Sequence, residues 1–354
     1  MKTETLIIGG GLSGLNLARQ LCEAGRDFHL LEARDRFGGR ILSETFQGTA
    51  FDLGPAWFWP GQPRMEALIS ELNLKRFDQY SQGALTFEDE GGRVERGRGF
   101  ASMEGSYRLQ GGLGALIEAL VANLPSSNLS LSTQVVSLQK TSDGVAAKTS
   151  GGQRFDAQNV VLSLPPRLAG ALEYSPALNP AAHQTMDATA TWMAGQAKAV
   201  AVYKTAFWRD AGLSGDAMSR HGPMVEIHDA SPATDGPYGL FGFIGVPAQV
   251  RHDNTAAMKE AVVAQLVRMF GPEAANPETV FFKDWAFDPD TSTETDLEPL
   301  YQHPTYGMPQ VLSNIWNGRL IFSGTETGQM FGGYLEGALE SAANALTLLE
   351  TEKV

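Results

Sequence analysis

Apolar positions cluster first at Leu6-Ile7-Ile8, fed by the mixed stretch Thr3-Glu4-Thr5, and this reads as a short buried strand. Gly9-Gly10-Gly11-Leu12-Ser13-Gly14 follows at once, after which Leu15, Ala18, Leu21 and Cys22 return at helical spacing. Phe28-His29-Leu30-Leu31 predicts a second strand ending on Glu32. Farther on, a helix is expected from Leu113 to Leu124. Strands are expected from Leu129 to Leu138 and Val145 to Lys148, and a buried strand at Val160-Val161-Leu162-Ser163-Leu164 is stopped by Pro165-Pro166. Lys198 to Tyr203, Met224 to His228, Tyr238 to Val246 and Thr279 to Phe282 read as further strands. Between the last two, Met258, Ala261, Val262, Leu266 and Met269 share one face of a helix over Thr255 to Phe270. The strand Arg319 to Phe322 precedes a terminal helix, on which Leu335, Ala338, Leu339, Ala342, Leu346 and Leu349 keep a helical period.

Strand, glycine turn and helix in immediate succession form the G-x-G-x-x-G setting of a dinucleotide site. Gly9 permits the turn, Gly11 lets the backbone approach a pyrophosphate, and Gly14 lets helix and strand pack closely. The backbone at Leu12 and Ser13 then offers the unpaired N–H groups and partial positive charge of a helix start. Glu32, eighteen positions after Gly14, can accept hydrogen bonds from an adenosine ribose, which favours a dinucleotide without a 2′-phosphate.

Three further segments decide which dinucleotide. Glu32-Ala33-Arg34-Asp35-Arg36-Phe37-Gly38-Gly39-Arg40 resembles the extended motif of the flavin amine oxidase superfamily. Gly324-Thr325-Glu326 and Gly333-Tyr334-Leu335-Glu336-Gly337 resemble the C-terminal flavin signature of monoamine oxidases. The run from Lys198 through Tyr203-Lys204 to Phe207-Trp208-Arg209 resembles the segment carrying their flavin-site lysine. The resemblance implies FAD held along Ala33, Arg34, Gly38, Gly39 and Arg40, with the Leu335 N–H at the pyrimidine end of the ring. It also implies contacts from Gly54-Pro55-Ala56-Trp57, from the Val135 backbone, and from Trp285 packed beside the ring. On the same resemblance Lys198 holds a water against flavin N5, and Tyr334 is one wall of the aromatic pair bracketing the amine. His303 falls at the opposite wall, with Tyr306 as the alternative. Read by itself, a lysine opening an apolar strand is an edge residue with its head in water. Phe207 and Trp208 read as core.

Composition narrows the picture. Among 354 residues, 43% are apolar and 19% charged, which is globular. A formal net charge of −13 argues against nucleic acid and anionic membranes as partners. One cysteine, Cys22, excludes an internal disulfide, and with none near Gln302 to Tyr306 the cysteinyl thioether of the resembled mitochondrial enzymes is not expected. Six histidines show no ligand spacing, so no metal site is expected. No apolar run reaches ~18 residues, and neither a signal-type start nor a hydrophobic tail is visible, so a cytoplasmic protein is expected.

The expected fold class is α/β: a Rossmann-like FAD-binding domain over 1–58, 108–166 and 286–354, interleaved with a smaller α+β substrate domain over 59–107 and 167–285. The expected activity is that of an amine oxidase with non-covalent FAD. Hydride passes from the amine α-carbon to N5, O2 reoxidises the flavin, and H2O2 is released. Its partners would be a small-molecule amine and O2. The alternatives are a desaturase or C–C oxidoreductase of the same superfamily, or an accessory protein using FAD structurally. The pattern leaves the oligomeric state open.

Overall fold

Leu6-Ile7-Ile8 forms the middle of an eight-stranded sheet because both its faces are covered by apolar layers. Strand Lys2–Ile8 pairs in parallel with Phe28–Leu31 on one side and Arg154–Leu162 on the other, and the latter pairs in parallel with Leu320–Phe322. Ile7, Leu30, Val161 and Ile321 pack against helices Leu12–Glu23, Gly112–Ala122 and Leu335–Thr351. Leu6, Ile8, Leu31, Val160, Leu162 and Phe322 point to the other face and its separate core. Ile8, Leu31, Leu162 and Phe322 stand in register at one edge, so the turns beginning Gly9, Glu32, Ser163 and Ser323 emerge together. Ligands of open α/β sheets bind at this carboxyl edge. Three distant chain segments build it, which makes this unit discontinuous.

The computed structural model describes residues 1–298, 300 and 302–351; Glu352, Lys353 and Val354 lie outside the described residues. A second, seven-stranded sheet begins with strands Thr279–Asp284, Ala197–Tyr203, Tyr238–Ile244 and Met224–Asp229, in that order. Period-two alternation divides its faces. Ala197, Ala199 and Ala201 pack toward helix Thr255–Phe270 through Val262, Leu266 and Met269. Val200, Val202 and Phe241 face the first unit and meet Phe51, Leu53, Ala56 and Trp57. Lys198 shares this second face by alternation. The architecture is therefore α/β, a Rossmann-like unit interleaved with an α+β unit.

Several sequence expectations need correction. The strand expected over Leu129 to Leu138 is two, Leu129–Ser130 and Val135–Lys140. Ser132, at φ 51, breaks it, and Ser132 and Thr133 bond instead to Arg34 and Glu32. The strand placed at Val160 to Leu164 spans Arg154–Leu162. Lys198 is no edge residue, since its strand pairs with a neighbour on each side. Helix Pro63–Glu71, within the stretch expected on the substrate side, packs Met65, Leu68 and Ile69 into the helical layer of the nucleotide unit. No helix among the described residues is long and apolar enough to cross a membrane.

Candidate active site

The glycine turns define a cradle at the carboxyl edge. Gly9 adopts φ +111, and a Cβ there would lie 2.5 Å from the Ser163 carbonyl oxygen. A Cβ on Gly14 would come 2.0 Å from the Gly9 carbonyl oxygen, so Gly14 serves the helix–strand contact. Gly11 differs. Its backbone is extended, at φ −78, and a Cβ would meet no protein atom nearer than 3.9 Å. The atoms at that distance belong to Gly38 and Gly39, and the two glycine turns lie against each other, the Gly38 N–H donating to the Gly10 carbonyl at 2.8 Å. Such an open cradle at a helix start fits a pyrophosphate.

The surrounding groups complete it. Glu32 is buried and accepts from the Gly10 N–H at 2.7 Å and the Arg34 N–H at 2.9 Å, which fixes its carboxylate beside the turn. Ser13 Oγ donates to the Ser323 carbonyl at 2.7 Å and ties the first helix to the C-terminal strand. Arg34, next to Ala33, reaches Asp288 at 2.6 Å and Thr291 at 2.8 Å. Arg40 forms a two-point pair with buried Glu326 at 2.6 and 3.2 Å. Beside Glu326 opens a cleft of about 640 Å³, lined also by Tyr306, Gly307 and Met308. Val135 is a core residue, and the segment leading to it bonds along Glu32 and Arg34.

Farther along this edge, segments remote in sequence converge. Lys198 Nζ donates to the Gly54 carbonyl at 2.6 Å, and Trp285 Nε1 donates to the adjacent Leu53 carbonyl at 2.8 Å. Pro55 and Ala56 continue this backbone to Trp57, which is buried and donates to Gln79 at 2.8 Å. Lys198 is 5% exposed and lies 5.2 Å from the Phe243 ring centroid and 5.8 Å from that of Phe241. Burial pushes its ammonium down to about 7, against the opposing pull of Asp52. Such an amine titrates in the range where reactions run.

At the start of the terminal helix, Thr325 Oγ1 donates to the Tyr334 carbonyl at 2.6 Å, and the Gly333 N–H to the Thr325 carbonyl at 3.3 Å. Gly324 joins this turn to the C-terminal strand. The helix begins at Leu335, whose N–H lies in the first turn, where no intrahelical acceptor exists. That end carries about half a positive charge.

The expected aromatic pair is not a slot. His303 stacks directly on Tyr334, centroids 5.0 Å apart at 17°. A methylene chain between parallel rings needs about 7 Å, two van der Waals contacts of roughly 3.5 Å each. His303 therefore backs Tyr334 and does not face it across a substrate. Tyr306, the alternative, meets the edge of His303 at 5.6 Å and donates its hydroxyl to the Ala190 carbonyl at 2.6 Å. Trp59 approaches Tyr334 edge-on at 6.2 Å. Phe207 and Trp208 pack against each other, and the Trp208 indole N–H bonds Asp229 at 2.8 Å.

The sequence reading missed Asp52, which is buried and accepts from the Leu113 N–H at 2.9 Å, holding the helix Gly112–Ala122 against the Gly54 turn. Its place two residues before Gly54 was the available signal. It also missed Glu226 and His228, which alternate on strand Met224–Asp229 and share the face that alternation gives Lys198.

Comparison with known proteins identifies the family of the chain. The family model for flavin containing amine oxidoreductases matches residues 12–102 and 98–345, the two stretches meeting between Gly97 and Met103. A probable flavin-containing monoamine oxidase A of Dictyostelium discoideum is 24% identical over 442 residues, covering 96% of this chain and 95% of that protein. A putrescine oxidase of Kocuria rosea is 23% identical over 402 residues, covering 80% and 82%. Among solved structures, wild-type putrescine oxidase bound to putrescine superposes with a TM-score of 0.83 at 20% identity over 100% of both chains. Cyclohexylamine oxidase from Brevibacterium oxydans gives 0.82 at 19% identity over 99% of this chain and 100% of that one. At these identities the structural likeness speaks for the fold alone.

Proposed function

The chain belongs to the flavin containing amine oxidoreductases, and from that membership we propose an FAD-dependent amine oxidase whose site is the edge just described. The observation that carries this reading is the convergence of Lys198 and Trp285 on the consecutive carbonyls of Gly54 and Leu53. When bound, FAD supplies a two-electron acceptor that takes hydride from the amine α-carbon at N5 and passes the electrons to O2, giving H2O2.

The protein's own part is holding, orienting and charging. With FAD bound, Gly11, Leu12 and Ser13 would hold the pyrophosphate and Glu32 the ribose, with the Arg40–Glu326 pair beside them. The Leu335 N–H, at a positive helix end, stabilises negative charge at the pyrimidine edge. Lys198 sets charge and water position near the atom that accepts hydride, and Trp285 packs beside it. Tyr334, held by His303 behind and Trp59 at its edge, presents a wall to the amine. Chemistry of this kind asks side chains for positioning and dryness more than for an acid–base pair. The amine and O2 are the partners of this reading, and the cytoplasm its compartment. The charge of −13 supports it by disfavouring nucleic acid and anionic membranes.

The cofactor is non-covalent. Cys22 packs against the core at the end of the first helix opposite the glycine turn. Acid precipitation should release FAD into the supernatant; yellow colour that stays with the washed pellet would contradict this. Tyr334→Ala should leave FAD content intact and slow flavin reduction by the best amine about tenfold, because a misplaced substrate loses rate steeply. His303→Ala should do the same more weakly, through the ring it supports. Stopped-flow reduction rates equal to wild type in both variants would return the pair to a packing role.

A further inference from the structure

A hydrogen-bonded chain on the site-facing side of the second sheet is not used by the chemistry above. His228, 1% exposed, meets Asp216 Oδ1 through Nδ1 at 2.7 Å and Glu226 Oε1 through Nε2 at 3.0 Å. Both partners are carboxyl groups, and a ring carrying hydrogen on both nitrogens would satisfy both contacts. Burial opposes that charge, yet the two carboxylates outweigh it and raise His228 above its ordinary value. Glu226 in turn is held below the usual carboxylate range: burial pushes it up, but hydrogen bonds from His228 and Ser102 prevail. Glu226 Oε1 accepts a hydrogen bond from Ser102 Oγ.

The position of this chain gives it a use. Glu226 pairs in register with Phe243, and Phe243 with Lys198, so a row of side chains runs from the reacting end of the site to Glu226 over two strand spacings, about 10 Å. Trp57 lies edge-on to His228 and to Phe241, at 5.2 Å in each case. Ser102 belongs to a loop between strands Val94–Arg96 and Tyr107–Leu109. Gly97, Gly99 and Gly105 turn that loop at φ 73, 121 and 80, in the left-handed region that suits glycine. Its next residue, Met103, packs onto the cluster that holds Trp57, Trp59 and Phe243. This is also where the two stretches of the family match meet.

We propose that the loop carrying Ser102 and Met103 is a roof over the aromatic cluster of Trp57, Trp59 and Phe243 beside Lys198, and that Asp216, His228 and Glu226 form the latch that holds the roof down and so limits the size of amine admitted there. The inference rests on the amine oxidase reading. Asp216 orients His228, His228 keeps Glu226 ionised and aimed at the loop, and Ser102 closes the chain. A hydroxyl bonded to an ionised carboxylate is about twice as strong as a neutral pair, enough to bias a loop between closed and open.

The test uses the FAD-loaded protein. Ser102→Ala removes only the loop's half of the latch and leaves the sheet's hydrogen bonds in place. Glu226→Gln keeps an acceptor but drops the charge. Arg98, 55% exposed in its side chain and flanked by Gly97 and Gly99, reports loop opening through limited trypsin digestion. Cleavage there should be about tenfold faster in Ser102→Ala and intermediate in Glu226→Gln. The ratio of kcat/KM for 2-phenylethylamine to that for butylamine should rise severalfold in Ser102→Ala, carried mainly by KM. Unchanged cleavage in both variants overturns the latch, and faster cleavage with an unchanged ratio overturns the roof. Cleavage needs no turnover, so a failure of the amine oxidase reading shows separately, as a wild-type protein that oxidises neither amine; the latch then stands or falls on cleavage alone.

Discussion

Gly11→Val protein is expected to fold normally and to purify without its yellow colour. Two features of Gly11 make this sharper than a general statement about glycine motifs. Its φ of −78 is ordinary for any residue, so valine brings no left-handed strain. Its Cβ position meets no protein atom nearer than 3.9 Å, so the added Cβ itself clashes with nothing in the fold. On the proposed reading, the group that a side chain here would meet is the pyrophosphate. Overpacking of this kind costs roughly 1–3 kcal/mol, so FAD affinity should fall about ten- to a hundredfold. Gly14→Ala should behave in the opposite manner, because its Cβ would collide with the Gly9 carbonyl inside the fold. That variant should lose stability first and cofactor only in consequence. Absorbance of the purified proteins and thermal melts of the apoproteins separate the two. A Gly11→Val protein retaining full FAD would remove the pyrophosphate from this turn.

Lys198→Met should lose about a hundredfold in flavin reoxidation by O2 while reduction by the amine changes much less. Methionine keeps the length and packing of the stem but removes the donor and the charge. Loss of a single preorganised donor from a dry site is worth roughly that factor. Gly54 also loses a hydrogen-bond partner, and the release of a buried ammonium from its desolvation offsets this. Lys198 binds its proton less tightly in the fold, at about 7 against 10.5, so between those values the unfolded chain holds more protons. Apoprotein stability should therefore rise with pH across that window, and the methionine variant should lose that part of the rise. Stopped-flow traces of both half-reactions and melts between pH 7 and 10 check the two parts. Wild-type reoxidation in Lys198→Met would leave the lysine a purely structural buried cation.

The legible parts of the molecule were those whose chemistry imposes local spacing. Gly9, Gly11 and Gly14 stand between the first strand and helix, and the next strand ends on Glu32, so the turn and the buried carboxylate beside it could be read directly. The apolar run after Lys198 announced a strand but not its two faces, alanines toward the helix and Lys198 toward Gly54. It could not say that both edges of the strand were paired, because pairing is decided by residues far away in the chain. The same limit explains His303. Its spacing from Tyr306 put it near the flavin end, but only tertiary packing decides whether a ring faces Tyr334 or stacks on it. Ser102 and Glu226 meet across 124 residues of sequence with no local pattern to announce them.

The central claim is that an amine delivers its electrons to a flavin held at this edge. Anaerobic mixing of the purified holoprotein with a panel containing putrescine, cyclohexylamine and 2-phenylethylamine tests it most directly. At least one amine should bleach the visible band of the oxidised flavin within a single turnover, and admitting air should restore the band with one H2O2 released per flavin. A fully loaded protein whose flavin stays oxidised before every primary, secondary and polyamine offered, yet bleaches with dithionite, would contradict the account.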